Sequence, residues 1–280
     1  MRRLTVPFAV LALFLAACSQ PAPSGGSLLP ALPAGVDPTV EDPACVVEDA
    51  TFDDDVTIPE GAECVFTNVT VEGNIAVAMD ASLAFTGGLI DGNVFVYRSA
   101  SVELSGTFVE GNVQGERSAG VVVRDGAEVD GDVQVERGQG PVQVLVSTVL
   151  GNVQVDETAG SIDIVEAHVD GDVQLKLNDE DIDVSESWVG GDVQLDENLG
   201  DIVVDYNEIG GNVQLEENYG AIDVSDNRVG GDVQLEENLG GVDVFDNVID
   251  GNLQCSSNAT PIAGSGNVVG GDAEGQCSAF

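Results

Sequence analysis

Four residues of unlike chemistry, His168, Trp188, Glu208 and Arg228, recur at intervals of 20 along this sequence. They include the only histidine, the only tryptophan and the only basic side chain after position 191. Tyr206 and Asp226 stand two positions before the last two, as Glu186 does before Trp188. Aromatic side chains beside carboxylates and a guanidinium are what a glycan-binding groove uses, and Glu208 with Asp226 would supply the acid and base of sugar chemistry. The candidate glycan contacts are therefore His168, Trp188, Tyr206, Glu208, Asp226 and Arg228. Solvent-facing positions also drift freely where packing leaves them unconstrained, and that reading stays open. No nucleophile motif accompanies the set, so no residue is assigned as catalytic.

A second group is acidic. Asp156, Asp196, Glu216 and Glu236 keep the same interval, each followed by Glu157, Glu197, Glu217 or Glu237, and Lys176 with Leu177 interrupts the series. Carboxylates stacked one strand apart repel by under about 1 kcal/mol in water. One reading is a solvated face that discourages edge-to-edge association. The other is calcium or a similar hard cation threaded between Glu197, Glu217 and Glu237. The sequence holds no glycine-aspartate nonapeptide of the calcium-binding repeat type, so these remain candidates without an assigned metal site.

Both groups depend on a repeat for their positions. Gly-Asn/Asp-Val-Gln begins at 111, 131, 151, 171, 191, 211 and 231, and returns at 251 as Gly-Asn-Leu-Gln. Shorter units open at Asp55, Gly73 and Gly92. A strict period in this range means one unit stacked on itself, with residues 20 apart as vertical neighbours. Within a unit, Val233 and Leu235 bracket Gln234, and Val242 and Val244 bracket Asp243, the period-2 alternation of half-buried strands. Glycines at 231, 240 and 241 cut the unit into corners. The expectation is an all-β, three-sided coil of about eleven turns, a rod of roughly 50 Å with an aliphatic interior. The column from Gln114 to Gln254 reads as stacked amides on a strand face.

The segments Ile202 to Asn212, Ile222 to Asp232 and Val242 to Asn252 resemble the apolar-x-apolar-x-x-Asn-x-apolar-x-Gly-Asn repeat of right-handed parallel β-helices of the pectin-lyase-like type. The resemblance implies that Asn207, Asn227, Asn247 and Asn267 stack inside a corner and bond the backbone of the next turn. Ala127, Ser147, Ala167 and Ser187 occupy that corner earlier. The fold also hosts pectate lyases and polygalacturonases, which suggests sugar chemistry by analogy alone. Leu199 and Leu239 fit a leucine-rich repeat as well, but Ala119, Gln139, Ala159 and Asp179 break that pattern.

Fifty acidic residues against eight basic ones give a net charge of -42. Such a surface repels nucleic acid and anionic lipid. Met1 to Cys18 reads as an export signal, with Arg2 and Arg3 before an apolar stretch too short to be a comfortable membrane span. Leu15-Ala16-Ala17-Cys18 resembles the lipobox of bacterial lipoproteins, which implies a lipid on Cys18, and Ser19 fits outer-membrane sorting. Residues 1–17 are then the signal peptide and 18–43 a flexible tether rich in Pro, Ala, Gly and Ser. The β-helix is expected over 44–280. In an exported chain, Cys45 with Cys64 and Cys255 with Cys277 would staple its two ends.

The function expected is that of an envelope lipoprotein, lipid-anchored at the outer membrane or cell surface. Its rigid rod would serve non-enzymatic binding or adhesion, as a monomer, toward a glycan or an envelope protein and not nucleic acid. A polysaccharide lyase or glycoside hydrolase at the Trp188 stripe and a cation-binding surface protein are the alternatives. No cofactor is required by this reading, calcium being the one the acidic columns could take.

Overall fold

A computed structural model describes residues 44–259 and 262–280. Cys18, the signal peptide and the tether lie outside the described residues. Within them the chain is a parallel β-helix of about eleven turns, formed by three twelve-stranded sheets in which every pairing is parallel. One turn runs Ile222–Ser225, Arg228–Val229 and Val233–Glu236. These belong to what we term the long, short and glutamine sheets. The first strand is Ala44–Glu48, ahead of the unit that opens at Asp55. Among the described residues no helix forms, and so none could cross a membrane.

The register explains the repeat. Val213, Val233 and Leu253 are vertical neighbours, as are Ile222 and Val242. Alternate side chains enter one continuous aliphatic lumen, where Val213, Leu215, Val224 and Val229 have no exposed surface. The leucine-rich alternative fails on the same count: its key positions, Leu199 and Leu239, are half exposed. Disulfides join Cys45 to Cys64 and Cys255 to Cys277, with Cα atoms 4.5 and 5.4 Å apart. The first ties the opening strand to the strand above it. The second holds the last residues under the final turn, where Phe280 packs on the core.

Each letter of Gly-Asn/Asp-Val-Gln has a physical reason. A Cβ on Gly92 would come within 2.6 Å of the Gly73 carbonyl oxygen and 2.8 Å of Asn74 Oδ1, so only glycine fits. The next residue accepts with its side chain: Asn93 N–H donates to Asn74 Oδ1 at 2.9 Å, and Asn112 N–H to Asn93 Oδ1 at 2.9 Å. Aspartate serves equally, since only an acceptor oxygen is needed; Asp192 N–H donates to Asp172 Oδ1 at 2.8 Å. Valine fills the lumen. The outward glutamines donate one to the next from Gln114 to Gln194, at 3.0 to 3.4 Å.

Two further ladders lie inside corners. Asn207, Asn227, Asn247 and Asn267 stack as the resemblance implies. Asn227 Nδ2 donates to Asn247 Oδ1 at 3.0 Å and to the Val204 carbonyl at 2.7 Å, while its Oδ1 accepts from the N–H and Nδ2 of Asn207. Every polar atom of the buried amide is thus satisfied. The second ladder, Asn178, Asn198, Asn218, Asn238 and Asn258, was not anticipated. It has the same bonding and ends where Gln276 takes the place of the next asparagine, its Oε1 accepting from Asn258 at 3.0 Å.

Candidate functional site

The short sheet places His168, Trp188, Glu208 and Arg228 in direct succession. In its two-residue strands the first side chain faces out and the second, Val169, Val189, Ile209 or Val229, is buried. The turn before each strand passes through a residue in the left-handed region, Glu166, Glu186, Tyr206 and Asp226, with φ of 50 to 54°. The pattern seen in the sequence is therefore a column of strand residues beside a column of corner residues. The six candidate contacts do share one strip.

Within the strip the rings of His168 and Trp188 stack at 4.2 Å and 11°. Their strands are adjacent turns, about 4.8 Å apart, so the ring planes lie across the rod and their edges meet solvent. His168 Nε2 lies 2.8 Å from Asp170 Oδ1. The indole reaches toward Gly190, where a Cβ would stand 2.9 Å from its Cη2. Val146, Thr148, Glu166 and Glu186 border an open depression of about 550 Å³ at this pair. Further along, Arg228 is 3.4 Å from Asp250. The charge of Asp226, and then its hydrogen bond, hold the Tyr206 phenol above its ordinary value.

Part of the strip is engaged internally, His168 with Trp188 and Asp170 and Tyr206 with Asp226. A sugar-cleaving pair needs a carboxyl kept protonated at neutral pH by its surroundings, facing a second carboxylate. Asp226 is engaged by Tyr206, and of the carboxyls pushed upward by burial, Asp156 and Glu216 lie on the glutamine sheet while Asp205 directly precedes Tyr206, its neighbours Asp183, Asp223, Glu186 and Asp226 raising it further. Asp156 borders a recess of about 430 Å³ over Gln134, Gln154 and Gln174 on the glutamine sheet. Its Oδ1 is buried without a hydrogen bond.

The acidic columns run along the edge of the glutamine sheet. Lys176 does more than interrupt them, since its ammonium bridges Asp196 at 2.5 Å and Glu197 at 2.9 Å. Those two hydrogen bonds hold its pKa well above the usual lysine range. Glu197, Glu217 and Glu237 are left-handed corner residues with φ of 55 to 56°. Among the described residues no three His, Cys, Asp or Glu side chains converge to hold a metal ion.

Compared with protein-family models, curated proteins and solved structures, the chain shows no significant match. The class defined by its geometry is the parallel β-helix.

Proposed function

We propose that this chain is an exported lipoprotein, acylated at Cys18 and anchored in the bacterial envelope at the outer membrane or cell surface, whose β-helix binds its partner without catalysis. The residues 18–43 act as a tether, and the rod holds its binding strips clear of the membrane. The candidate strip carries this reading: His168 and Trp188 lie edge-on in an open face, with Asp226 paired to Tyr206 and Arg228 close to Asp250. Such a face offers an indole N–H, a guanidinium and carboxylates to the hydroxyls of a glycan, with no cleft to exclude water from a reaction. The likeness to pectin-lyase-type helices supports kinship of architecture, not of chemistry.

The full chain on an array of neutral and acidic glycans tests the reading. Saturable binding that Trp188→Ala abolishes, without new reducing ends in the bound sugar, is the expected result. New reducing ends or unsaturated products, lost in Glu208→Gln, would replace it with a hydrolase or lyase.

A further inference from the structure

One corner of the rod carries a feature that the glycan strip does not use. After each buried asparagine of the second ladder the chain swings outward, and in three consecutive turns the residue there is large and apolar. Leu199, Tyr219 and Leu239 are 50%, 53% and 51% exposed. Their backbone N–H groups donate to Asn178, Asn198 and Asn218 carbonyls at 2.8 to 2.9 Å, so the three side chains project from a fixed backbone about 4.8 Å apart. In earlier turns the same column holds Ala119, Gln139, Ala159 and Asp179.

The flanks differ on the two sides. On one side lie Gly200, Gly220 and Gly240, stacked so closely that an added Cβ would collide with the backbone one turn below, and next to them Asp201, whose carboxylate accepts from the Ala221 N–H at 2.8 Å. On the other stand Glu216, Glu217, Glu236 and Glu237, exposed and without a cation like the Lys176 that bridges Asp196 and Glu197. Glu216 is held above the ordinary range by desolvation and then by Asp196, Glu236, Glu217 and Glu237. Leu199, Tyr219 and Leu239 together form a contiguous exposed apolar ridge between a closely stacked glycine flank and an acidic margin.

We propose that this ridge is a docking site for a basic protein segment that sets apolar side chains against Leu199, Tyr219 and Leu239 and its lysines or arginines over Glu216, Glu217, Glu236 and Glu237. Charge selects the occupant. A second copy of this chain would bring acid onto acid across the same contact, in a molecule of net charge -42, and an anionic lipid face would be repelled likewise. A cationic segment relieves the repulsion while covering the apolar ridge. The site lies on a different edge from the Trp188 strip and stands whether or not that strip binds glycan.

The full chain is titrated with an 18-residue amphipathic Leu/Lys helical peptide, and separately with polylysine as a charge-only probe. The expected result is saturable binding of the peptide, weakened at least tenfold by joint substitution of Leu199, Tyr219 and Leu239 with serine, while polylysine binding is unchanged. These residues are exposed, and an unaltered circular dichroism melt confirms that the variant folds. Glu217→Gln with Glu237→Gln should weaken the peptide further and flatten its salt dependence. Equal peptide affinity in the serine variant overturns the proposal. So does a wild-type dimer, or binding to zwitterionic vesicles, that the serine substitutions abolish.

Discussion

The first turns and the last turns of this rod reach the same cross-section by different means. Near the start the lumen holds Phe66 and Phe85, both fully buried, and Phe52 stacks on Phe66 at 5.9 Å. Corners there are narrow and closed by alanine. Ala81 and Ala100 donate their N–H to carbonyls three residues back, Ala78 and Tyr97, at 3.1 and 2.9 Å. From the turn after Val121 the corner leaving the glutamine sheet gains a residue, seen where the strand partners in that sheet advance from Val113 to Val133 while those in the long sheet advance from Val121 to Val142. In the turns that follow, Asn198 N–H donates instead to the amide of the next turn, Asn218 Oδ1, at 3.0 Å. A tight corner bonds to itself, whereas a wide corner with a buried N–H must borrow an acceptor from its neighbour. Asparagine is the small side chain that both accepts that bond and donates the next.

A parallel contrast at the corner before the short sheet, where Ser147 gives way to Asn207, Asn227 and Asn247, ranks the substitutions. Asn227→Ala removes the acceptor of Asn207 N–H and Nδ2 and the donor to Val204 O and Asn247 Oδ1, all buried. We expect a loss of about 3 kcal/mol or more, since each stranded group costs about 1–3 kcal/mol. Ser147→Ala in the same column removes one bond to the Leu145 carbonyl and should cost about 1 kcal/mol. Hydrogen exchange resolved by turn is the suitable measurement, because a long repeat need not unfold as one unit. Equal protection losses in the two variants would dissolve the distinction between the regions.

The two ends differ in the same way. Replacing either cysteine pair with serine removes a cross-link closing a loop of about 20 residues, for which a loss of about 3 kcal/mol is expected. The 255–277 pair also keeps Gln276 against Asn258, where its amide terminates a ladder. Its loss should therefore raise exchange at Asn258 and then Asn238. Loss of the 45–64 pair should stay confined to the first turns, since neither cysteine adjoins the ladder from Asp55 through Asn74 and Asn93 as Cys277 adjoins Gln276.

Acidification should act on both regions with a smaller effect. Asp205, desolvated and facing Asp183 and Asp223, and Glu216 both have raised pKa values. The folded state thus binds protons more tightly than the unfolded chain, and stability is gained as pH falls through those raised values toward the ordinary carboxylate range. Modest acidification should accordingly slow exchange in turns 200–220, and also in the turn of Glu110, whose carboxyl is held up by a hydrogen bond with Asp91 and then by that neighbour's charge. Faster exchange around Asp205 and Glu216 would contradict the sign.

Much of the fold was legible because inward valines and leucines alternate with period 2 and the unit repeats every 20 residues. The candidate strip was legible for the same reason, as a column. The Asn178 to Asn258 ladder also lay open to a column reading, but Asn198 follows Asp196 and Glu197 and reads locally as part of a polar loop. Its burial depends on the width of the corner, a tertiary property. The edge-on attitude of Trp188 and the pairing of Lys176 with Asp196 and Glu197 also escaped, since side-chain directions depend on neighbours one turn away.

The smallest effect concerns the corner backbone itself. Every turn passes through the left-handed region beside the short sheet, at Asp49 and Asn68 early on and Asp226 and Asp246 later, residue types that tolerate it. Val146 occupies that column with φ of 49° and is 51% exposed. A β-branched side chain is disfavoured there by about 1–2 kcal/mol, and its exposure offers little burial in return. Its N–H donates to Val165 O at 2.9 Å, a bond that any non-proline residue would keep. Val146→Asn should therefore stabilise the turn by about 1 kcal/mol, slowing exchange at Val146 and Ser147. The same change at Val203, a strand residue of the long sheet, relieves no such strain and should not stabilise. If Val146→Asn gained nothing, the corner would be held by its neighbours firmly enough that residue type no longer mattered, and the contrast between corners would rest on the amide ladders alone.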